Sequence, residues 1–156
     1  MTVAIGDVAP TFDLPSTHGR IKLDRYLGKW VVLYFYPADN TRNCTIEACT
    51  FKNSHQDFLD AGAVVIGVSG DTMESHKGFE ARWKLPFPLV VDEDGALREA
   101  YGVPKTFGLF DGRTTFVIDK QGVVRDVFNS QFKAKQHYKR ALGVVKGILP
   151  AAGNSA

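Results

Sequence analysis

The sequence predicts an α/β fold, in which a central mixed β-sheet is flanked by helices and carries a small β-hairpin extension at its N-terminal end. Three observations predict it. Two continuous apolar runs, at residues 30–36 and 64–69, read as strands buried on both faces. Between them, Phe51, Phe58 and Leu59 fall on one side of a helical pattern, which makes a strand–helix–strand unit. Later, two apolar stretches flank Asp119-Lys120-Gln121-Gly122, a hairpin signal. A parallel unit and an antiparallel hairpin in one chain require a mixed sheet covered by helices.

The elements follow in order. Residues 11–23, with Gly19 in a turn, form the N-terminal hairpin. The strand at 30–36 runs into Pro37 and a polar turn. A helix is predicted over 43–61, with Gly62 as its stop. The strand at 64–69 precedes a helix over 73–84, which Pro86 ends. Leu89–Val91 is a short strand, Asp92-Glu93-Asp94-Gly95 a turn, and 96–101 a short helix. Strands at 114–118 and 123–128 form the late hairpin, and 134–149 the closing helix. This order matches a thioredoxin-like fold with an N-terminal extension. Without repeat or linker, residues 1–150 read as one domain, and the small, polar 151–156 tail as disordered.

Composition narrows the function. A chain of 156 residues can bury a sizeable core, and 44% hydrophobic with 23% charged residues is ordinary for a soluble protein. A net charge of +2 without a basic run argues against a nucleic-acid partner. No apolar run reaches the roughly 18 residues that span a bilayer. The first residues lack a basic segment followed by an apolar one, so no signal peptide is expected and the expected location is cytoplasmic. In a reducing compartment, two cysteines point to catalysis or redox chemistry rather than to a structural staple.

Those cysteines, Cys44 and Cys49, follow the polar turn Asn40-Thr41-Arg42-Asn43 at the start of a predicted helix. A thiol there meets the positive end of the helix dipole and unpaired N–H groups, which favour the nucleophilic thiolate. The competing reading is that both are small buried hydrophobes, a common fate of free cysteine. Five residues apart on an intact helix, their Cα atoms would lie roughly 8–9 Å apart. A disulfide needs less than about 7 Å, so the two can bond only if the helix start unwinds. The pair matches neither a zinc pattern nor Cys-x-x-Cys. His18, His55, His76 and His137 are scattered without metal-ligand spacing and read as solvated or capping residues. Gly67-Val68-Ser69-Gly70 lacks the nucleotide-binding glycine patterns, so neither metal nor cofactor is expected.

At these residues the chain resembles the peroxiredoxins, in particular the peroxiredoxin Q (bacterioferritin comigratory protein) group. The motif Pro-x-x-x-Thr-x-x-Cys stands as Pro37, Thr41 and Cys44, and the group's second cysteine as Cys49. Leu85-Pro86-Phe87-Pro88-Leu89, Ala100-Tyr101-Gly102-Val103 and Arg113-Thr114-Thr115-Phe116-Val117-Ile118-Asp119 look like the same group. The likeness covers roughly residues 3–149. Where the group commonly has Pro-Gly before the first cysteine, this chain has Arg42-Asn43, and Asn43 is a candidate cap in place of Gly.

The resemblance implies a thiol peroxidase acting on hydrogen peroxide and organic hydroperoxides. It implies Cys44 as the peroxidatic residue, Cys49 as the resolving residue in an intrachain disulfide, and Arg113 as the active-site arginine. Thioredoxin or a similar dithiol is the implied reductant, and monomer the implied state. Arg113 would supply a fixed charge and planar donors. The Thr41 hydroxyl would align the peroxide, and Pro37 would limit water. Two other functions compete: a protein dithiol–disulfide oxidoreductase, and a redox-regulated binding or holdase module without turnover.

Overall fold

The computed structural model describes residues 2–105 and 111–147. The 151–156 tail therefore lies outside the described residues, as do the last residues of the 134–149 helix. Its seven strands are β1 (Asp13–Ser16), β2 (Gly19–Lys22), β3 (Trp30–Phe35), β4 (Ala63–Ser69), β5 (Leu89–Val91), β6 (Thr114–Ile118) and β7 (Val124–Asn129). They form one sheet in the order β2-β1-β5-β4-β3-β6-β7. The mixed character arises as expected: β3–β4 and β4–β5 are parallel, whereas β3–β6, β6–β7, β1–β2 and β1–β5 are antiparallel.

The strands at the centre read as continuous apolar runs because both sheet faces are covered. Val32, Tyr34 and Tyr36 point into one core with Ala48, Phe51, Phe58 and Phe79. Val31, Leu33 and Phe35 point into the other, with Leu97, Tyr101 and Phe116. The first core lies under the helix that carries both cysteines. There the Tyr34 ring stacks on Phe51 with centroids 4.5 Å apart. Gly67 on β4 allows this, because a Cβ there would meet Leu89 Cδ2 at 2.9 Å and the Tyr34 ring at 3.0 Å. Phe51 is fully buried, so Phe51→Ala should cost about 3–5 kcal/mol. Urea unfolding checks this, and a loss below about 1 kcal/mol would show that the ring is not the pillar of this core.

The helix predicted over 43–61 is two helices, α1 (Arg42–Asn53) and α2 (His55–Asp60). Ser54 between them sits at φ −99°, ψ 3°, outside helical geometry. Asn53-Ser54 explains the break: both side chains compete for backbone hydrogen bonds and weaken a helix interior. Phe51 and Phe58 still enter the same core across it. The remaining helices are α3 (Met73–Trp83), α4 (Ala96–Tyr101) and α5 (Ala134–Val145). The Asp92-Glu93-Asp94-Gly95 turn caps α4, since the Asp92 carboxylate accepts from the N–H groups of Leu97 and Arg98. Among the described residues, no helix is long and apolar enough to cross a membrane.

Candidate active site

β3, a central strand, delivers the chain to Pro37 just past its C-terminal end, and Thr41 then stands at the N-cap of α1 in extended conformation. The cap is Thr41 rather than Asn43, which lies inside the first turn. Thr41 accepts no capping bond on its side chain; its hydroxyl instead donates to the Ala38 carbonyl at 2.9 Å. The hydroxyl proton is thus engaged, and the oxygen offers lone pairs only. The first intrahelical bond here runs from Thr45 N to Thr41 O. The N–H groups of Arg42, Asn43 and Cys44 therefore have no acceptor within the helix.

Cys44 is a free thiol with 1% exposure. Arg113 reaches it from the loop that enters β6, 69 positions further on, and Nη2 donates to Cys44 Sγ at 3.3 Å. The same guanidinium donates from Nη1 to Glu47 Oε1 at 2.5 Å and from Nε to the Gln131 carbonyl at 3.1 Å. Three donors aim in three fixed directions, which a guanidinium can do and an ammonium cannot. Burial works against the Arg113 charge, but Glu47 and Cys44 outweigh it and hold its pKa above the ordinary value. Glu47 has the converse problem. Burial drives its pKa up, and Arg113 pulls it back only in part, to about 8.

Pro37, Thr41, Cys44 and Arg113 line one open pocket, with Arg42, Asn43, Ile46 and Gln131. Four of the five predicted site residues are thus brought together. The fifth, Cys49, is a free, half-buried thiol further along α1. Both cysteines lie on one unbroken helix, so the geometric bar to a bond between them holds in this state.

The burial of several polar groups behind this pocket was not legible in the sequence. Glu47 is one: its place in the helix suggests a carboxylate that serves the helix start or pairs with an arginine, and the arginine pairing is what forms. Arg98 is another: it donates to the carbonyls of Tyr36 and Gly112, the residues that precede Pro37 and Arg113. It so ties the two arms of the site together. His76 and His137 are neither solvated nor capping, since both are fully buried. His76 faces Asp39 Oδ2 at 2.7 Å and the Val90 carbonyl at 2.9 Å, two acceptors. Both ring nitrogens must then carry protons. Burial opposes that charge, but Asp39, Val90 and Asp71 prevail and raise the His76 pKa. Asp39 also accepts from the Tyr36 and Ser75 hydroxyls, and its N–H donates to Asp71. This network pins the 37–41 turn. Asp39, Asp71 and His76 bring ligand-type atoms within 4.8 Å of one another. A doubly protonated imidazole has no lone pair for a metal, so the arrangement is a buried ion pair.

The comparisons agree with the geometry. The AhpC/TSA family model matches residues 5–127. The chloroplastic peroxiredoxin Q of Sedum lineare is 45% identical over 148 residues, which span 94% of this chain and 80% of the relative. Among solved structures, the bacterioferritin comigratory protein of Xanthomonas campestris, studied for alkyl peroxide reduction, superposes with a TM-score of 0.84. It is 33% identical, with 95% of this chain and 99% of that one covered. Peroxidoxin BcpB from Mycobacterium tuberculosis gives a TM-score of 0.84 at 34% identity, covering 93% of this chain and 97% of that one. By this family match and these relatives, the chain belongs to the AhpC/TSA family, as a thiol peroxidase of the peroxiredoxin Q group.

Proposed function

We propose that Cys44 is the peroxidatic nucleophile, that Cys49 resolves it, and that thioredoxin or a similar dithiol recycles the pair. The observation that carries this reading is the Arg113 contact to Cys44 Sγ inside the pocket formed with Pro37 and Thr41. The Cys44 thiolate attacks the terminal oxygen of HO–OR, so an S–O bond forms as the O–O bond breaks. The leaving oxygen departs with the electron pair and takes a proton to become water or alcohol. Arg113 and the free N–H groups of the first turn stabilise the charge on that oxygen. Thr41 accepts the hydrogen bond of the peroxide O–H, since its own proton is committed to Ala38. Pro37 contributes a wall without a backbone donor.

The sulfenic acid then condenses with the Cys49 thiol, releasing water and forming a disulfide. That bond requires the first turns of α1 to unwind. We take the protein to act as a monomer in the cytoplasm, where free thiols persist; the plant relatives are chloroplastic. The test is Cys49→Ser. The variant should consume about one peroxide per protein and stop at a trappable sulfenic acid, read by mass spectrometry. In the unaltered protein, oxidation should raise amide exchange over residues 41–52 while the central strands stay protected. Sustained thioredoxin-driven turnover by Cys49→Ser, or an oxidised protein with α1 intact, would sink the resolving role.

A further inference from the structure

Pro37 follows β3 with a residue that has no backbone N–H. Successive residues of a strand turn their backbone groups to opposite neighbours. The Tyr36 N–H donates to the Val68 carbonyl, so Tyr36 faces β4 and Pro37 faces β6. Phe35 pairs with Thr114, and continuing that register sets Pro37 opposite Gly112. The Arg113 carbonyl accepts from Ser130 N–H, just past β7, which turns the Gly112 carbonyl back toward β3. That carbonyl needs the N–H of residue 37, and proline has none. The Tyr36 carbonyl faces β4, where the ladder donor would be Gly70, but β4 ends at Ser69. Both ladders therefore stop one bond short, on the two arms that carry Pro37 and Arg113.

Arg98 fills both gaps. From α4, its Nη2 donates to the Tyr36 carbonyl at 2.8 Å and its Nη1 to the Gly112 carbonyl at 2.9 Å. The residue is 7% exposed, and its Cζ lies 5.7 Å from the centroid of the Phe35 ring. Among the described residues its ion pair is a long one, from Nε to Asp111 Oδ2 at 3.9 Å, and the Asp111 side chain is 42% exposed. Burial lowers the Arg98 pKa, against the pull of Asp111, Asp92 and Cys44. A buried cation held mainly by neutral carbonyls is an expensive way to close a ladder. What it provides is a planar fork that bridges both carbonyls as one rigid piece. The Gly112 backbone is confined from the other side too, since a Cβ there would meet the Pro104 carbonyl oxygen at 2.0 Å.

We propose that Arg98 is a positioning residue for peroxide reduction: its fork replaces the backbone ladder that Pro37 interrupts, and so fixes Arg113 in register beside Cys44. The inference rests on Cys44 as the nucleophile and Arg113 as its stabilising cation. Arg98 is not among the residues that line the active-site pocket. It acts through the Gly112 carbonyl on the next residue, Arg113, whose Nη2 stands 3.3 Å from Cys44 Sγ.

Arg98→Lys tests the proposal, because it keeps the charge and loses the fork. A misplacement of about 1 Å can cost on the order of 100-fold in rate. Arg98→Lys should therefore slow both peroxide reduction and iodoacetamide labelling of Cys44 at pH 6 by about tenfold or more. In an Arg113→Ala background no guanidinium is left to position, and Arg98→Lys should change labelling by less than about twofold, the mark of two residues acting as one unit. An equal drop in both backgrounds overturns the proposal in favour of a packing role, since lost packing acts in either. Unchanged rate and labelling in Arg98→Lys overturn it as well, because a charge without the fork would then suffice. In the unaltered protein, NMR should show couplings through the hydrogen bonds from the Arg98 Nη atoms to the Tyr36 and Gly112 carbonyl carbons. Freely rotating Nη groups without those couplings overturn the proposal, and this readout needs no variant to fold. The underlying reading fails differently: labelling left unchanged by Arg113→Ala alone, or peroxide consumption retained by Cys44→Ser, refutes it and takes the positioning role with it.

Discussion

Cys44→Ser should reduce thioredoxin-coupled peroxide consumption to background. The thiol is held at 1% exposure at the start of α1, with Arg113 Nη2 at 3.3 Å. A serine hydroxyl fits the same space, yet its proton is not released near neutral pH, and without an adjacent base it is a weak nucleophile. Among the described residues, no general base stands beside this thiol: Glu47 is turned to Arg113 and His137, and Thr41 donates to Ala38. Arg113 is placed to stabilise negative charge on a sulfur, and serine offers no such sulfur. Loss of a covalent nucleophile costs on the order of 10⁶-fold in rate. The fold should survive, because one sulfur is exchanged for a smaller polar atom. Circular dichroism and a peroxide electrode read the two effects apart. Retained turnover in a folded Cys44→Ser protein would move the chemistry to Cys49.

Periodicity carried much of the fold. The runs at 30–36 and 64–69 are continuous because β3 and β4 are covered on both faces, and that leaves a direct trace in composition. The break at Ser54 left little trace, because Phe51 and Phe58 keep helical spacing across it. That the N-terminal hairpin joins the sheet through β5 depends on a pairing between Ser16 and Val90, which no local pattern encodes. In the site, Pro37, Thr41 and Cys44 were legible as a motif within one stretch of chain. Arg113 was legible only through family likeness. Glu47 and His137 are polar letters on helices, where polar letters ordinarily mean solvent. Their burial follows from α1 and α5 packing together over the end of β6. For Glu47, pairing with an arginine was legible as one of two roles, beside service to the helix start; its burial was not.

Arg113→Ala should slow peroxide reduction about 100-fold or more, the typical loss for one well-placed oxyanion donor. Arg113→Lys should fall between it and the unaltered protein. The guanidinium serves Cys44, Glu47 and the Gln131 carbonyl at once. An ammonium keeps the charge but not the planar fork, so it cannot hold all three directions. Cys44 labelling below neutral pH should slow in both variants, more in the alanine. Stability behaves differently from rate. Removing one partner of a buried ion pair ordinarily costs about 3–5 kcal/mol, yet Glu47 is already pushed up to about 8 and can take a proton instead. The loss in Arg113→Ala should therefore be smaller, and should grow as pH rises and ionises the stranded carboxyl. Adding Glu47→Gln to Arg113→Ala should restore stability at high pH without restoring rate, because the amide relieves the buried charge but provides no cation for the thiolate. If Arg113→Ala alone keeps near-normal peroxidase rates and unchanged labelling, the arginine is a structural partner of Glu47 and the stabilising charge at Cys44 must come from the helix start.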